Sequence, residues 1–472
     1  MSASRTATAA DTLASLDEAL CRHPTDVDTH YRRAQTLHTM QRLEEALQGY
    51  AQILALQPDH VDALCSRGAA LFMLGRSDHA QDAWQAALRV DARHPSSLYN
   101  MGHALHELGH PEQALAYYDR ALHSRPDFVE ALCNYGLALQ ALNRIDEAQA
   151  CYRRTLQLQP GLPLAHWNLA LCRLLQGDYA QGWLAYEWGW AAGERGPRRH
   201  ESTVLWRGAT PPAGKRIILA AEQGLGDSLQ FCRYASLLAA QGAQVWLEVQ
   251  PPLVKLLSQL PGVAGVYAQG DARPAADHHC PLLSLPLALG TRLDTIPASS
   301  AYLRADPELA AHWAARLAHL PRPRIGIAWS GNPRHRNDAL RSIPLAQLAP
   351  SAGSLGSLVR IQTDTRPGDA ALLVEHGVFD ASDALHDFAD TAALLANLDH
   401  VISVDTSVAH LAGAMGVATT LMLPYAPDFR WLLRRNDSPW YPSLRLLRQT
   451  TRGDWGQVMT RLSASGLTSA GL

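Results

Sequence analysis

A spacing of 34 residues constrains the fold of this chain more than any other feature, because residue types recur on it between about positions 25 and 190. The recurring columns are Pro24, Pro58, Pro126 and Pro160, with Ala92 in the vacant slot; Ala34, Gly68, Gly102, Gly136 and Ala170; Ala46, Ala80, Ala114, Ala148 and Gly182; and Tyr50, Trp84, Tyr118, Tyr152 and Tyr186. Small residues let paired helices approach closely, aromatic rings fill the space between them, and the prolines restart each unit. An array of helical hairpins is predicted.

This period and these residue types resemble the tetratricopeptide repeat, with about five repeats in residues 1–195. The resemblance implies an α-solenoid. Asn100, Asn134 and Asn168 form a further column at the same spacing. Their amides either form a ladder on the concave face that hydrogen-bonds the backbone of an extended peptide, or bond neighbouring helices within the array. Both interpretations are open.

The stretch from His106 to His110 matches HExxH, the pattern of helical zinc proteases. That chemistry needs both histidines on one helical face. Gly109, however, falls in the turn column of the repeat, and Pro111 follows directly after His110. We expect the helix to end before the second histidine, so no metal site is predicted.

Composition excludes several classes of protein. The chain has 472 residues, a net charge of −3 and seven scattered cysteines without a CxxC pair. This charge gives no reason to expect nucleic-acid binding, and the odd cysteine count argues against a disulfide framework. The N-terminus lacks the apolar core of a signal peptide, and no apolar run reaches membrane-spanning length. A cytoplasmic protein without a transmembrane segment is expected.

The second half changes in composition after a basic passage, GERGPRRHEST. Strand-like runs alternate with helix-like ones, which predicts parallel sheets with crossover helices. We expect two Rossmann-like α/β domains, residues 205–320 and 321–472, facing each other across a cleft. The predicted strands are Lys215 to Ala221, Gln244 to Val249, Arg324 to Trp329, Ser357 to Gln362, His400 to Val404 and Thr419 to Leu423, and the helices of the first domain are Asp227 to Ala240 and Leu253 to Leu260.

The first of three polar loops at the ends of predicted strands contains Gln223, Gly224, Gly226 and Asp227. Its two glycines permit a tight turn and the close approach of a ligand. It is not the dinucleotide fingerprint, because the third glycine would fall at Leu229. Asp227 alternatively serves only as the N-cap of the next helix.

The second loop, with Ser330, Gly331 and Asn332, runs into a basic segment that contains Arg336 and Arg341. Guanidinium groups suit phosphate oxygens because they donate bidentate, charge-assisted hydrogen bonds. The alternative is a solvated surface loop.

The third loop lies in Val401 to Gly416, where a β-branched run ends at Asp405, Thr406 and Ser407 and a helical pattern follows. A helix N-terminus carries unpaired N–H groups and the positive end of the helix dipole, so it suits a phosphate. His410 lies near the side of the helix that Asp405 occupies. Alternatively, Asp405 or Ser407 only caps the helix, and a lone histidine is more often structural.

EQGLGDSLQFCRY, IAWSGNPRHRNDALRSIPL and DFADTAALLANLDHVISVDTSVAHLAGAMG, with DSPWYP, resemble bacterial tetratricopeptide proteins that carry a C-terminal region similar to the heptosyltransferases. The resemblance covers nearly the whole chain. It implies a GT-B fold, with the nucleotide-sugar donor held by the C-terminal domain, the acceptor held by the N-terminal one, and no metal or other cofactor.

The resemblance also implies roles for individual residues. Asp227 matches the proposed general base of heptosyltransferases, and Asp405, Thr406 and His410 match the motif that contacts the sugar and diphosphate of the donor. Ser407 stands where that family usually has glycine, and arginines stand where a lysine is expected. Gln362 occupies the place of an acidic residue that often contacts the ribose.

Three functions are compatible with these features. The first is an inverting glycosyltransferase whose repeats hold a polypeptide acceptor, with Asp227 as base and with the Thr406–Ser407 helix N-terminus and Arg336 or Arg341 stabilising the leaving diphosphate. The second is a scaffold with an inactive glycosyltransferase-like region. The third is a glycosyltransferase that acts on a lipid-linked or polysaccharide acceptor.

Overall fold

The structure is a computed structural model and describes residues 2–298, 301–335 and 337–465. Arg336, a predicted donor-binding residue, lies outside this set. The chain forms two compact units, Met1–Ala165 and His166–Leu472, which are described separately below. The domain boundaries drawn from composition remain predictions. None of the helices in the described ranges is long and apolar enough to cross a membrane.

The first unit consists of helices that pair into hairpins. After α1 (Ser2–Arg22) the hairpins are α2 (Val27–Thr39) with α3 (Leu43–Leu56), α4 (Val61–Met73) with α5 (Ser77–Val90), α6 (Pro95–Glu107) with α7 (Pro111–Ser124), and α8 (Val129–Ala141) with α9 (Ile145–Leu158). Gly75 and Gly109 join their helix pairs with φ of 74° and 83°, a left-handed conformation that glycine adopts without strain. Helical hairpins are therefore confirmed.

The small-residue columns bring the helices of each hairpin into contact. A Cβ added to Gly102 would stand 2.8 Å from the Tyr118 ring, and one on Gly136 would stand 2.6 Å from the Tyr152 ring. Both rings are fully buried. The aromatic residues fill the space that the glycines leave, as the periodicity predicts.

The helix α6 ends at Glu107, and His110 lies beyond it, immediately before α7. The two histidines of the HExxH match are therefore not on one helix, as expected from the turn at Gly109.

The boundary between the units falls within α10 (Pro163–Leu175), which is followed by α11 (Tyr179–Tyr186) to give a fifth hairpin. A parallel sheet follows, built from β1 (Val204–Leu205), β2 (Arg216–Ala220), β3 (Gln244–Val249), β4 (Gly265–Ala268) and β5 (His278–Pro281), in the order β1-β5-β2-β3-β4. Its helices are α12 (Leu225–Phe231), α13 (Arg233–Ala240), α14 (Val254–Leu257) and α15 (Leu285–Ala288). The strand order reverses its direction between β2 and β5, which makes this pair the switch point of the sheet.

A second parallel sheet contains β6 (Arg324–Ala328), β7 (Ser357–Arg360), β8 (Phe379–Asp380), β9 (His400–Val404), β10 (Thr419–Leu423) and β11 (Leu444–Arg448). The helices around it are α16 (Pro307–Arg316), α17 (Asp338–Arg341), α18 (Leu345–Gly353), α19 (Asp369–Glu375), α20 (Phe388–Leu395), α21 (Ser407–Ala414) and α22 (Gly456–Ser465). The order β11-β10-β9-β6-β7-β8 is that of a doubly wound sheet, whose switch point lies between β6 and β9.

Two predicted helices of the first sheet differ from the structure. The predicted helix from Asp227 to Ala240 begins earlier, at Leu225, and is divided at Cys232 into α12 and α13. The predicted helix from Leu253 to Leu260 is shorter, because the Pro251–Leu253 segment forms a 3₁₀ turn and only Val254–Leu257 is α-helical.

The last repeat helix, α11, packs against helix α12 of the first sheet and against the segment between β10 and β11 of the second. The Trp183 ring lies 5.9 Å from Phe231 of α12 and 5.7 Å from Phe429, which follows β10. On the same helix, the Tyr179 hydroxyl accepts a hydrogen bond of 3.0 Å from the Trp440 indole. The fifth hairpin is thus part of the core of the α/β region.

Candidate active site

The switch point of the second sheet brings the second and third polar loops together. The loop after β6 contains Gly331, and the loop after β9 contains Asp405. Arg341 joins them: its Nη1 donates a hydrogen bond of 2.9 Å to the Asp405 carbonyl, and its guanidinium covers Gly331 so closely that a Cβ there would stand 2.5 Å from Nη2. Arg341 Nε has no hydrogen-bond partner among the described residues.

The side chain of the N-cap residue of α21 does not accept a hydrogen bond from the first backbone N–H groups of the helix. Thr406 occupies the N-cap position in extended conformation, and its side chain accepts no capping hydrogen bond. Ser407 is the first residue of the helix. The N–H groups of this helix end therefore remain suited to an anion, and the predicted placement of a strand, a polar loop and a helix is confirmed.

Asp405 is a half-buried carboxylate whose protonation changes near neutral pH. Burial, together with the nearby Asp428 carboxylate, raises its pKa to about 6, against the opposing effects of Trp431, Arg341 and Arg430. His410 Nε2 lies 3.8 Å from its carboxylate.

His410 is buried and uncharged. Its Nδ1 lies within hydrogen-bond distance, 2.9 Å, of the Tyr441 hydroxyl, and its ring stacks on Trp431 with centroids 5.2 Å apart. Burial, reinforced by the arginines around it, lowers the pKa of His410 well below its ordinary value. A neutral imidazole contributes hydrogen bonding and ring stacking to this cluster but no charge.

Asp227, on the first loop, is held from two sides. Its Oδ2 accepts a hydrogen bond of 2.8 Å from the Gly224 amide, so it caps α12 from the third helical position rather than as the N-cap residue. Its Oδ1 forms an ion pair with Arg430, which also donates to Asp428 at 2.8 Å and to Gln230 at 2.9 Å. Burial raises the pKa of Asp227 and Asp428 adds to the rise, while Arg430 opposes it.

The first loop contacts the third one directly. Gly226 lies against the imidazole of His410, where an added Cβ would stand 2.7 Å from the Cδ2 atom. Gln223 of the same loop is held by α11, because its Oε1 accepts a hydrogen bond of 3.1 Å from the Tyr186 hydroxyl. The loops at the carboxyl ends of strands in both sheets therefore converge on one place.

The amide of Gln362 fixes the second loop from within. Its Oε1 accepts hydrogen bonds from the amides of Trp329 and Ser330, and its Nε2 donates to Ser330 Oγ and to the Asp364 carbonyl. Contact with a ribose stays a prediction, and in the structure Gln362 positions Ser330. Asn332 is exposed, and its Oδ1 accepts from the Arg334 amide.

The sequence analysis did not predict Arg430 or its neighbours Asp428 and Trp431 as residues of this cluster. Arg430 follows β10 in a segment that carries no recognisable motif, and its partner Asp227 lies far away in the sequence. The one available signal is its position beyond a buried strand of a parallel sheet.

The asparagine column mainly bonds neighbouring repeats. Asn100 donates a hydrogen bond of 3.4 Å to Cys65 Sγ, and Asn134 donates one of 3.0 Å to the Tyr99 hydroxyl, each to the first helix of the preceding hairpin. Asn168 is buried, with 4% of its surface exposed. These two hydrogen bonds favour the interpretation that Asn100 and Asn134 link neighbouring helices, because their amide nitrogens are already used within the array.

Comparison with known proteins identifies the repeats. Residues 95–128 and 133–187 match family models described as tetratricopeptide repeat. The chain therefore carries tetratricopeptide repeats together with two parallel sheets of α/β type.

The chain is similar to protein FlbA of Caulobacter vibrioides, at 27% identity over 330 residues. The match covers 64% of this chain and 55% of FlbA, so the chain spans only about half of that relative.

Among solved structures, it is similar to the protein YrrB, described as a TPR protein with an unusual peptide-binding site, with 22% identity, a TM-score of 0.31 and coverage of 37% of this chain and 89% of that one. PilF of Pseudomonas aeruginosa matches with 19% identity, a TM-score of 0.34 and coverage of 39% and 80%.

Proposed function

We propose that the α/β region is a glycosyltransferase of the GT-B type, which moves a sugar from a nucleotide-sugar donor to an acceptor by metal-independent inverting transfer. The contact of Gly226 with His410 is the observation that carries the proposal. It joins a glycine-rich loop of one parallel sheet to a helix N-terminus of the other, and such strand ends are where ligands bind in doubly wound sheets.

The donor diphosphate would bind at the N-terminus of α21. The N–H groups after Thr406 and the guanidinium of Arg341 both favour negative charge there. Since the pKa of Asp405 is raised to about 6, part of its carboxyl population is neutral below neutral pH and repels the diphosphate less. Asp405 and His410 would then hold the donor sugar.

Asp227 would act as the general base. Its carboxylate would take the proton of the acceptor hydroxyl while that oxygen attacks the anomeric carbon and the bond from this carbon to the diphosphate breaks. Burial raises the pKa of Asp227, which makes it a stronger base. Arg430 would orient the carboxylate, and each carboxylate oxygen keeps a further acceptor site for the substrate. The leaving charge would be stabilised by the α21 N–H groups and Arg341.

The repeats would bind a polypeptide, because solenoids of this class present extended binding surfaces. In that arrangement the polypeptide is the sugar acceptor. A lipid-linked or polysaccharide acceptor is the alternative, with the repeats then serving assembly only.

A repeat-based scaffold without transfer activity is the second candidate. It is favoured by the ion pair between Asp227 and Arg430, which lowers the proton affinity that a base needs, and by the use of the Gln362 amide within its own loop.

Titration calorimetry of the full-length chain with a panel of nucleotide sugars separates the two candidates. The glycosyltransferase should bind at least one donor, and Arg341→Ala should weaken that binding about tenfold or more, because a charge-assisted hydrogen bond to phosphate is lost. Arg292→Ala is the matched control, since this exposed arginine pairs only locally with Asp294. If no nucleotide sugar binds, the scaffold is the better description.

A further inference from the structure

A cavity lies at the switch point of the first sheet, and its lining residue Glu222 directly precedes the loop that carries Gln223 and Asp227. It encloses about 370 Å³, within the size range of small-molecule sites, and its lining comes from the segment 187–222 and from β5. β2 and β5 are paired at this point, with Ala220 opposite Pro281, so the cavity opens where the strand order reverses. Doubly wound sheets bind ligands at such places.

Two polar side chains of the lining are almost fully buried, and each has one polar atom without a hydrogen-bond partner among the described residues. Glu222 follows β2, its side chain is 4% exposed, and its Oε2 has no hydrogen-bond partner among the described residues. His279 of β5 is 8% exposed, and its Nδ1 also has no such partner. A buried carboxylate oxygen without a donor costs free energy, so this wall is suited to a ligand that donates hydrogen bonds.

The charge of the wall favours a cationic donor. The buried guanidinium of Arg195 is paired with two carboxylates, those of Glu187 and Glu222, so the cluster carries one excess negative charge when both are ionised. Burial raises the pKa of Glu222, and Arg195 opposes the rise. An ammonium group would supply both the missing hydrogen bond and the missing charge.

The exposed part of the lining is basic on balance, with the guanidinium groups of Arg198 and Arg207 and the single carboxylate of Glu201. Neither arginine forms an ion pair with another described residue. Trp190 and Leu205 add apolar surface to the lining, and the Trp190 ring lies 5.4 Å from the guanidinium of Arg198. The cavity therefore offers a buried carboxylate, two exposed guanidinium groups and apolar side chains.

We infer that this cavity binds a small zwitterion of the α-amino-acid class, with its ammonium group on Glu222, its carboxylate group at Arg198 and Arg207, and an apolar side chain along Trp190 and Leu205. None of the described residues that line the cavity belongs to the proposed donor site, so the inference is tested by binding alone.

The test is calorimetry of the full-length chain with leucine, methionine and phenylalanine, each compared with its N-acetyl and methyl-ester derivative. At least one free amino acid should bind, and removing either charge of the ligand should weaken binding about tenfold or more. No binding of the three amino acids at millimolar concentration, or equal binding of the N-acetyl derivatives, would overturn the assignment.

Variants of the protein provide a second readout. The double variant Arg198→Ala/Arg207→Ala changes exposed side chains only, and should weaken binding of the free amino acid about tenfold while leaving its methyl ester unaffected. Glu222→Gln should weaken the free amino acid and the ester alike, with the exposed Glu308→Gln as matched control. If Glu222→Gln does not fold, the Arg198→Ala/Arg207→Ala variant and the ligand derivatives still test the proposal. Unchanged binding of the free amino acid by the double variant contradicts it.

Discussion

Gly226 lies so close to His410 that a Cβ added to it would stand 2.7 Å from the Cδ2 atom of the imidazole ring. The two residues belong to helices from different sheets, α12 and α21, and this approach lets the two strand-end loops meet. The His410 ring cannot move away from Gly226 easily, because its Nδ1 is within hydrogen-bond distance of the Tyr441 hydroxyl and its ring stacks on Trp431.

Gly226→Ala should therefore destabilise the protein by about 1–3 kcal/mol, the usual range for overpacking a buried contact. Chemical denaturation followed by far-UV circular dichroism measures the change. Gly353→Ala is the matched control, because Gly353 also lies in a helix and its Cβ would meet only Leu358 at 3.8 Å. Equal effects of the two substitutions would contradict a tight contact at His410.

Asp405 should make the stability of the protein depend on pH near neutrality. Its pKa is raised from 3.8 to about 6, so between these values the folded state binds more protons than the unfolded state. The carboxylate is therefore least destabilising at acidic pH, and its cost is fully present above about pH 6.

Asp405→Asn should consequently increase the free energy of unfolding by up to about 3 kcal/mol at pH 8, with the gain disappearing as the pH approaches 4. Denaturant unfolding of both proteins across this range measures the difference. In Asp383→Asn, which removes a mostly exposed carboxylate paired with Arg316, stability should change little at any pH. A pH-independent difference for Asp405→Asn would show that the carboxyl group is not the cause.

The proposed base is tested by Asp227→Asn. If Asp227 takes the acceptor proton, turnover should fall about 10²- to 10⁴-fold while donor binding is retained, because the amide cannot accept a proton at neutral pH. The measurement is transfer with whichever nucleotide sugar binds in the calorimetric panel. Asp277→Asn, which removes another carboxylate paired with an arginine, provides the control. Unchanged turnover in Asp227→Asn would remove this residue from the mechanism.

The sequence predicts those helices and strands that show a repeat period or an apolar, β-branched run within their own residues. The 34-residue period gives the hairpins, and the apolar, β-branched runs of β3, β9 and β10 predict strands with the bounds that the structure has. β5 is not predicted, because His278-His279-Cys280-Pro281 has neither a β-branched residue nor alternation. The cavity next to it is not predicted for the same reason, since His279 contributes to its wall only once β5 is paired with β2.

The roles of individual site residues are less predictable than the loops that hold them. Gly331, Asp405 and Thr406 can be placed at strand ends from local sequence. The partner of Asp227 cannot, because Arg430 reaches it only through the packing of two sheets. Likewise, the sequence does not show that the side-chain amide of Gln362 hydrogen-bonds to Trp329 and Ser330 in the second loop.

The column of asparagines should contribute to the stability of the repeats. Asn134→Ala removes the hydrogen bond to the Tyr99 hydroxyl and should lower the free energy of unfolding by about 1 kcal/mol. Thermal and denaturant unfolding measure the loss. Gln113→Ala on α7 is the matched control, because it removes an exposed amide from a helix of the same solenoid and should have a smaller effect. If the free energy of unfolding of Asn134→Ala is unchanged, the interpretation of the asparagines as links between helices is contradicted, and the peptide-binding interpretation is favoured.

The hydrogen bond between Tyr179 and Trp440 should stabilise the attachment of α11 to the segment between β10 and β11. Both side chains are buried, and Tyr179→Phe would leave the Trp440 indole N–H without its acceptor, at an expected cost of about 1–3 kcal/mol. Denaturant unfolding, monitored by tryptophan fluorescence, measures this cost. Tyr267→Phe is the matched control: it removes a buried hydroxyl that has no hydrogen-bond partner among the described residues, so it should be neutral or slightly stabilising. Equal stability of the two variants would mean that the aromatic packing of Trp183, rather than this hydrogen bond, holds the helix in place.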